Sequence, residues 1–159
     1  MKPLIVLLST FLIGLLIKRL SKKREISLFW VGRMAMGCML VFTGVAHFAF
    51  THGMAAMLPA WVPFKTGLIY LTGVFEILGA VGLLVPRYAR ITAIGLILFL
   101  ILVLPANIYA AINHIDPITG TTDGPDINYL FFRIPLQLLF IFWIYLSAVS
   151  PNALQAIKK

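Results

Sequence analysis

Four ionisable side chains stand inside apolar runs of this chain: Arg33, His47, Glu76 and Arg133. Two neutral polar side chains, Asn107 and Gln137, keep them company. An ionisable residue at the centre of a lipid-embedded helix costs roughly 2.5–3.5 kcal/mol on insertion scales, so each needs a partner or a purpose. Glu76 is the most demanding. It lies about 15 Å into its run at 1.5 Å per residue, too deep for a carboxylate to reach the surface. It must be protonated, paired or turned toward a hydrated cavity. Such a carboxyl handles a proton or anchors a ligand, or else it locks two helices through an ion pair. For proton transfer His47 is its candidate partner, so Glu76 and His47 are the candidate catalytic residues. The plainer role for His47 is an interfacial histidine with a hydrogen bond. For Arg33 it is a reach to inner phosphates or a pair with Glu76.

Spacing groups these residues into faces. Arg33, Gly37, Gly44 and His47 fall within about 40° of one another at 100° per residue. This stripe is small in the middle and polar at both ends, which suits close packing against another helix. Ile69, Thr72, Glu76, Ala80 and Leu83 share a second face, flanked by Gly73, Gly79 and Gly82. Arg133 and Gln137 are i,i+4 partners on a third. Arg133 is about 6 Å from the end of its run, within reach of the surface. Pro105 frees the carbonyl of Ile101, and Asn107 nearby offers both a donor and an acceptor. By depth, His47, Tyr70, Asn107, Arg133 and Gln137 belong to one half of the membrane, with Glu76 beneath them. The expected ligand-binding set is Arg33, His47, Glu76, Asn107, Arg133 and Gln137, around a polar pocket that opens outward under residues 51–65.

The elements that must position them are five apolar segments, roughly 3–20, 26–50, 66–85, 91–112 and 129–149. About 20 apolar residues span a bilayer as a helix. The runs lack period-2 alternation, and lipid obliges the backbone to satisfy itself, so helices are expected. The fold class is an all-α membrane protein: an antiparallel four-helix transmembrane bundle over 26–150 plus an extra N-terminal transmembrane helix. Residues 1–25 form that anchor and a basic cytoplasmic turn, and 151–159 form a short cytoplasmic tail. With the N-terminus outside, Lys18, Arg19, Lys22, Lys23, Arg24, Arg87, Arg90, Lys158 and Lys159 lie inside, nine of the 13 basic residues. Lys2 and Lys65 lie outside, and Arg33 and Arg133 lie within spans. This bias sets the orientation and puts the C-terminus inside. Residues 51–65 are too apolar for a free loop and belong to the outer interface, with Trp61, Tyr70, Tyr109 and Tyr129 in its aromatic belt.

Composition narrows the function classes. The 159 residues are 61% apolar and 11% charged, with a net charge of +8. An ordinary soluble domain carries about a quarter charged residues. In a soluble protein this charge would suggest nucleic acid, but here the basic residues fall between apolar runs. Cys38 is the single cysteine, so there is no internal disulfide, CxxC pair or cysteine metal motif, and it reads as a small packing residue. No metal site is expected, and the 113–128 loop lacks EF-hand spacing. The first run is followed by basic residues and no Ala-x-Ala, so it reads as a retained helix.

Several elements in order resemble the DoxX family of small membrane proteins: Arg33, Gly44-Val45-Ala46-His47-Phe48, Pro59, Pro63, Gly73-Val74-Phe75-Glu76-Ile77-Leu78-Gly79-Ala80-Val81-Gly82-Leu83 and Leu104-Pro105-Ala106-Asn107-Ile108. The resemblance covers about 30–110, with weaker similarity from Arg133 to Trp143. It implies a four-helix bacterial inner-membrane protein, some relatives being linked to quinone-dependent sulfur oxidation and others to redox defence. The family is also distantly similar to the sterol-isomerase and sigma-2-receptor group, which hold a ligand between intramembrane carboxylates. This chain has one such carboxylate where that chemistry uses more. The expected function is an accessory protein or subunit of a quinone-linked membrane system, holding a lipophilic small molecule, a quinone or lipid, between helices. Alternatives are a proton-transferring membrane enzyme, a small transporter, for which a homo-oligomer would supply a pore, and a structural partner of a membrane or redox complex.

Overall fold

The computed structural model describes residues 2–21 and 27–150. The basic residues Lys22, Lys23, Arg24, Lys158 and Lys159 lie outside the described residues. Helix α1 runs over Lys2–Leu20, with Lys18 and Arg19 in its last turn, where cations complement the helix dipole. Ser27 caps α2 (Leu28–Ala49), its side chain accepting from the Trp30 amide at 3.1 Å. A six-residue helix α3 (Thr51–Ala56) follows. Helix α4 (Lys65–Leu84) begins directly after Phe64, whose φ of 51° is unusual for a bulky side chain. Val85 before Pro86 is extended, as the residue before a proline prefers, and α4 ends there. Helix α5 (Ala89–Ile112) contains Pro105. Asp126 caps a 3-10 turn at Ile127–Tyr129 that leads into α6 (Leu130–Ile144), which contains Pro135 and continues as a π-helical turn over Tyr145–Val149.

Five of these segments are long and apolar enough to cross a bilayer: Lys2–Leu20, Leu28–Ala49, Lys65–Leu84, Ala89–Ile112 and Ile127–Val149. Their outward surfaces carry Leu12, Leu71, Leu78, Ile91, Leu102 and Phe142 among many exposed large apolar side chains. A continuous apolar skin of that kind fits lipid rather than water. The chain is a multi-pass helical membrane protein.

Neighbouring helices run antiparallel. Gly37 lies against Ala80 and Leu84, and Gly44 against Gly73 and Ile77, so the numbers descend along α4 as they rise along α2. The α2–α4 contact is the most extensive in the molecule. At the crossing, a Cβ added to Gly73 would sit 2.9 Å from the Cβ of His47 and 3.0 Å from the Gly44 carbonyl oxygen. Only glycine admits that approach. Gly79 and Gly82 perform the same service toward Leu96 and Thr92 of α5. Helix α1 packs along α2, and α6 meets α5 and α2. Of the face expected on the third segment, Ile69, Glu76, Ala80 and Leu83 are buried and Thr72 is partly so, and the flanking Gly73 and Gly79 are buried with them.

Two ends can be distinguished. The turn end holds the tight connection 85–88, and the loop end holds residues 50–64 and 113–126. Leu7, Met36, Leu40, Leu83, Leu96 and Ile144 are fully buried between the middle of the helices and the turn end. There Trp143 donates through Nε1 to the Gly32 carbonyl at 3.0 Å and meets Phe11 edge to face. Cys38 corrects its expected packing role: it is exposed, because it projects from the side of α2 away from the buried stripe. At the loop end, Gly53 of α3 touches the backbone of Pro117 and Ile118, so the two connections pack on each other.

Candidate functional site

The polar side chains form two adjoining groups at the loop end. The first lies between α2 and α4. Glu76 is 7% exposed, and its Oε2 is 3.9 Å from Nδ1 of His47, too far for a hydrogen bond. Nδ1 lies 2.9 Å from the carbonyl oxygen of Thr43. A carbonyl only accepts, so Nδ1 carries a hydrogen and donates it there. Thr43 also stands beside Glu76, while its hydroxyl lies 3.2 Å from the carbonyl oxygens of both Met39 and Leu40. Glu76 Oε2 is buried and makes no hydrogen bond. An orphaned buried acceptor costs about 1–3 kcal/mol. Close packing at Gly44, whose added Cβ would be 3.4 Å from Glu76 Cβ, keeps the carboxyl at this interface.

The second group joins α5 and α6. Arg133 donates through Nη2 to Oδ1 of Asn107 at 3.1 Å. Gln137, buried one turn further in, donates through Nε2 to the carbonyl of Leu100. A carboxyl and an imidazole thus stand side by side, the two group types that exchange protons in acid–base chemistry.

His47 and Glu76 make up the first of these groups, and Asn107, Arg133 and Gln137 the second. Arg33 does not join them. Gly37 is level with Ala80 and Leu84, and Arg33 is one turn beyond it, near the turn end. A pair between Arg33 and Glu76 is replaced by the His47–Glu76 pair, and the Arg33 Nε is buried without a hydrogen-bond partner. Tyr70 also turns away, 44% exposed and stacked on Phe48 with ring centroids 5.6 Å apart. Asn107 serves Arg133 rather than the Ile101 carbonyl. Thr43 was missed, although its place four residues before His47 on one helix face signals it. Among the described residues no three of His, Cys, Asp and Glu gather as a metal site.

Two apolar grooves lie elsewhere. One of about 250 Å³ runs between α1 and α2 beside Gly14, Trp30 and Val31. The other, about 280 Å³, runs between α2 and α4 beside Gly37, Cys38 and Ala80. Both are lined by Met34 and belong to the turn-end side of the Gly44–Gly73 crossing.

Residues 36–148 match a protein family described as a domain of unknown function (DUF8561), and the chain belongs to that family. The match begins within α2 and ends in the π-helical turn, so it contains His47, Glu76, Asn107, Arg133 and Gln137 and excludes α1 and Arg33. No curated protein matches the chain. No solved structure matches it either.

Proposed function

We propose that this chain is a DoxX-like protein of the bacterial inner membrane that holds a lipophilic small molecule between its helices. In this reading α2, α4, α5 and α6 act as an antiparallel four-helix bundle, with α1 as an added anchor. The N-terminus is outside and the C-terminus inside, as the distribution of basic residues favours. The protein serves as an accessory component or subunit of a quinone-linked redox system. His47, Glu76, Asn107, Arg133 and Gln137 contact the molecule's polar head, while its apolar tail remains among the helices.

The observation that carries this reading is the orphaned Oε2 of Glu76, buried beside His47. A fold retains so costly an arrangement for a purpose more often than by accident. Native mass spectrometry of the gently extracted protein tests it. A bound quinone or lipid is expected on the wild type, and Glu76→Gln is expected to lose it. An empty wild type, or retention unchanged in the variant, counts against the proposal.

A second reading, a membrane enzyme, draws on the closeness of Glu76 to His47. The carboxyl would give or take a proton at substrate while the imidazole relays it. Infrared titration of the Glu76 carboxyl decides between them: a change of protonation between pH 5 and 8 favours catalysis, and a constant ionised state favours a fixed ion pair.

A further inference from the structure

The hydrogen-bond inventory at the loop end defines what kind of head group completes it, on the premise that the pair does bind a lipophilic molecule as proposed above. The His47 and Thr43 hydrogens nearest Glu76 each have a backbone carbonyl within reach. The His47 Nδ1 hydrogen goes to the Thr43 carbonyl at 2.9 Å. The Thr43 hydroxyl has one hydrogen, and the carbonyls of Met39 and Leu40 are each 3.2 Å away. Arg133 is turned to Asn107, and Gln137 to the Leu100 carbonyl.

With Glu76 ionised and His47 neutral, what is left over accepts. Glu76 Oε2 is buried with no donor. In the neutral imidazole whose Nδ1 carries the hydrogen, Nε2 is also an acceptor. His47 keeps 16% of its side chain exposed, so the pair is approached past the imidazole ring. A carbonyl head would present a third acceptor to these two and leave all three unmet. A hydroxyl supplies the missing hydrogen.

We propose that the pair selects a hydroxyl-bearing lipophile, a phenol, hydroquinone or alcohol on an apolar tail, over its carbonyl or ether counterpart. For a quinone couple this means preference for the reduced, hydrogen-donating form. The selection rests on hydrogen bonding alone: no bond is made or broken, and no electron changes hands.

The test compares a long-chain 4-alkylphenol with its methyl ether, equal in tail and lacking only the donor hydrogen. Binding to the full chain in lipid nanodiscs is read by ligand-observed NMR. The wild type is expected to bind the phenol at least about ten-fold more tightly, the consequence of one hydrogen bond to a charged acceptor. In Glu76→Gln the preference should fall below about three-fold. Equal binding of phenol and ether by the wild type overturns the hydroxyl preference but leaves the lipophile-binding reading standing. Tighter binding of the ether does the same. Failure of both probes to bind overturns the underlying reading, and this inference with it. The wild-type comparison decides even where the variant does not fold.

Discussion

Between the middle of the helices and the turn end, apolar packing dominates: Leu40, Leu83, Leu96 and Ile144 are wholly buried, and the Trp143 indole has its hydrogen-bond acceptor on Gly32. At the loop end the same helices enclose Glu76, Gln137 and part of His47, with Glu76 Oε2 lacking any donor. One sequence builds both ends from the same small-residue crossings, so the contrast does not come from helix geometry. It comes from what sits beside the glycines: alanine and leucine beside Gly37, Glu76 and His47 beside Gly44 and Gly73. The turn end gains stability from apolar contact, whereas the loop end spends part of it to keep a carboxyl in a poorly satisfied place. Regions that break a local rule inside an otherwise consistent fold are where function is expected.

The comparison can be broken most sharply at the crossing both ends share. Gly73→Leu would drive a side chain into His47 and the Gly44 backbone, and is expected to destabilise by about 3 kcal/mol or more. Thermal unfolding in detergent should show a large fall or no folded protein at all. Next comes Leu40→Ala at the packed side, expected to cost about 3 kcal/mol through the cavity it leaves. Trp143→Phe keeps the bulk but loses the bond to Gly32, and about 1 kcal/mol is expected by the same measurement.

Glu76→Gln, by contrast, is expected to leave thermal stability unchanged or slightly raised, because it removes a buried charge and keeps the shape. A fall comparable to that of Leu40→Ala would erase the distinction between the two ends.

The smallest effect belongs to the 113–126 connection. Asp116 accepts from the amides of Thr119 and Ile118 at 3.0 and 2.6 Å, and these bonds hold its carboxyl below the usual carboxylate range. A folded pKa depressed in this way gives stability that is fully present above the unfolded value. It is lost as pH falls through the lowered folded value. The turn should therefore loosen only in acid below the ordinary carboxylate range, seen as shifts of the Ile118 and Thr119 amide NMR signals, with α2 and α4 unaffected.

Much of this arrangement could be read from residue order. The helical spacing of Ile69, Glu76, Ala80 and Leu83 named most of the buried face of α4, because a period of 3.6 residues converts spacing into direction, whereas Thr72 is only partly buried and the flanking Gly73 and Gly79 are buried instead. Run lengths likewise placed Asn107, Arg133 and Gln137 at compatible depths. Spacing on one face does not make one site, however. Arg33 and His47 share a stripe, yet they are fourteen residues apart, about 21 Å along the axis, and serve different ends of the molecule. Nor does depth reveal partners. That Asn107 meets Arg133, and that Gln137 reaches the Leu100 carbonyl, depends on how α5 and α6 are rotated about their axes. Cys38 shows the same limit, since an apolar run does not say which of its sides faces lipid.

The central claim is that the orphaned oxygen of Glu76 receives a hydrogen bond from a bound head group. Infrared difference spectroscopy on the protein in nanodiscs, recorded on addition of the alkylphenol, tests it most directly. The account predicts a shift in a carboxyl band of the wild type that is missing from Glu76→Gln. A wild-type carboxyl spectrum that does not change while the phenol binds, or an identical shift in the variant, would contradict it.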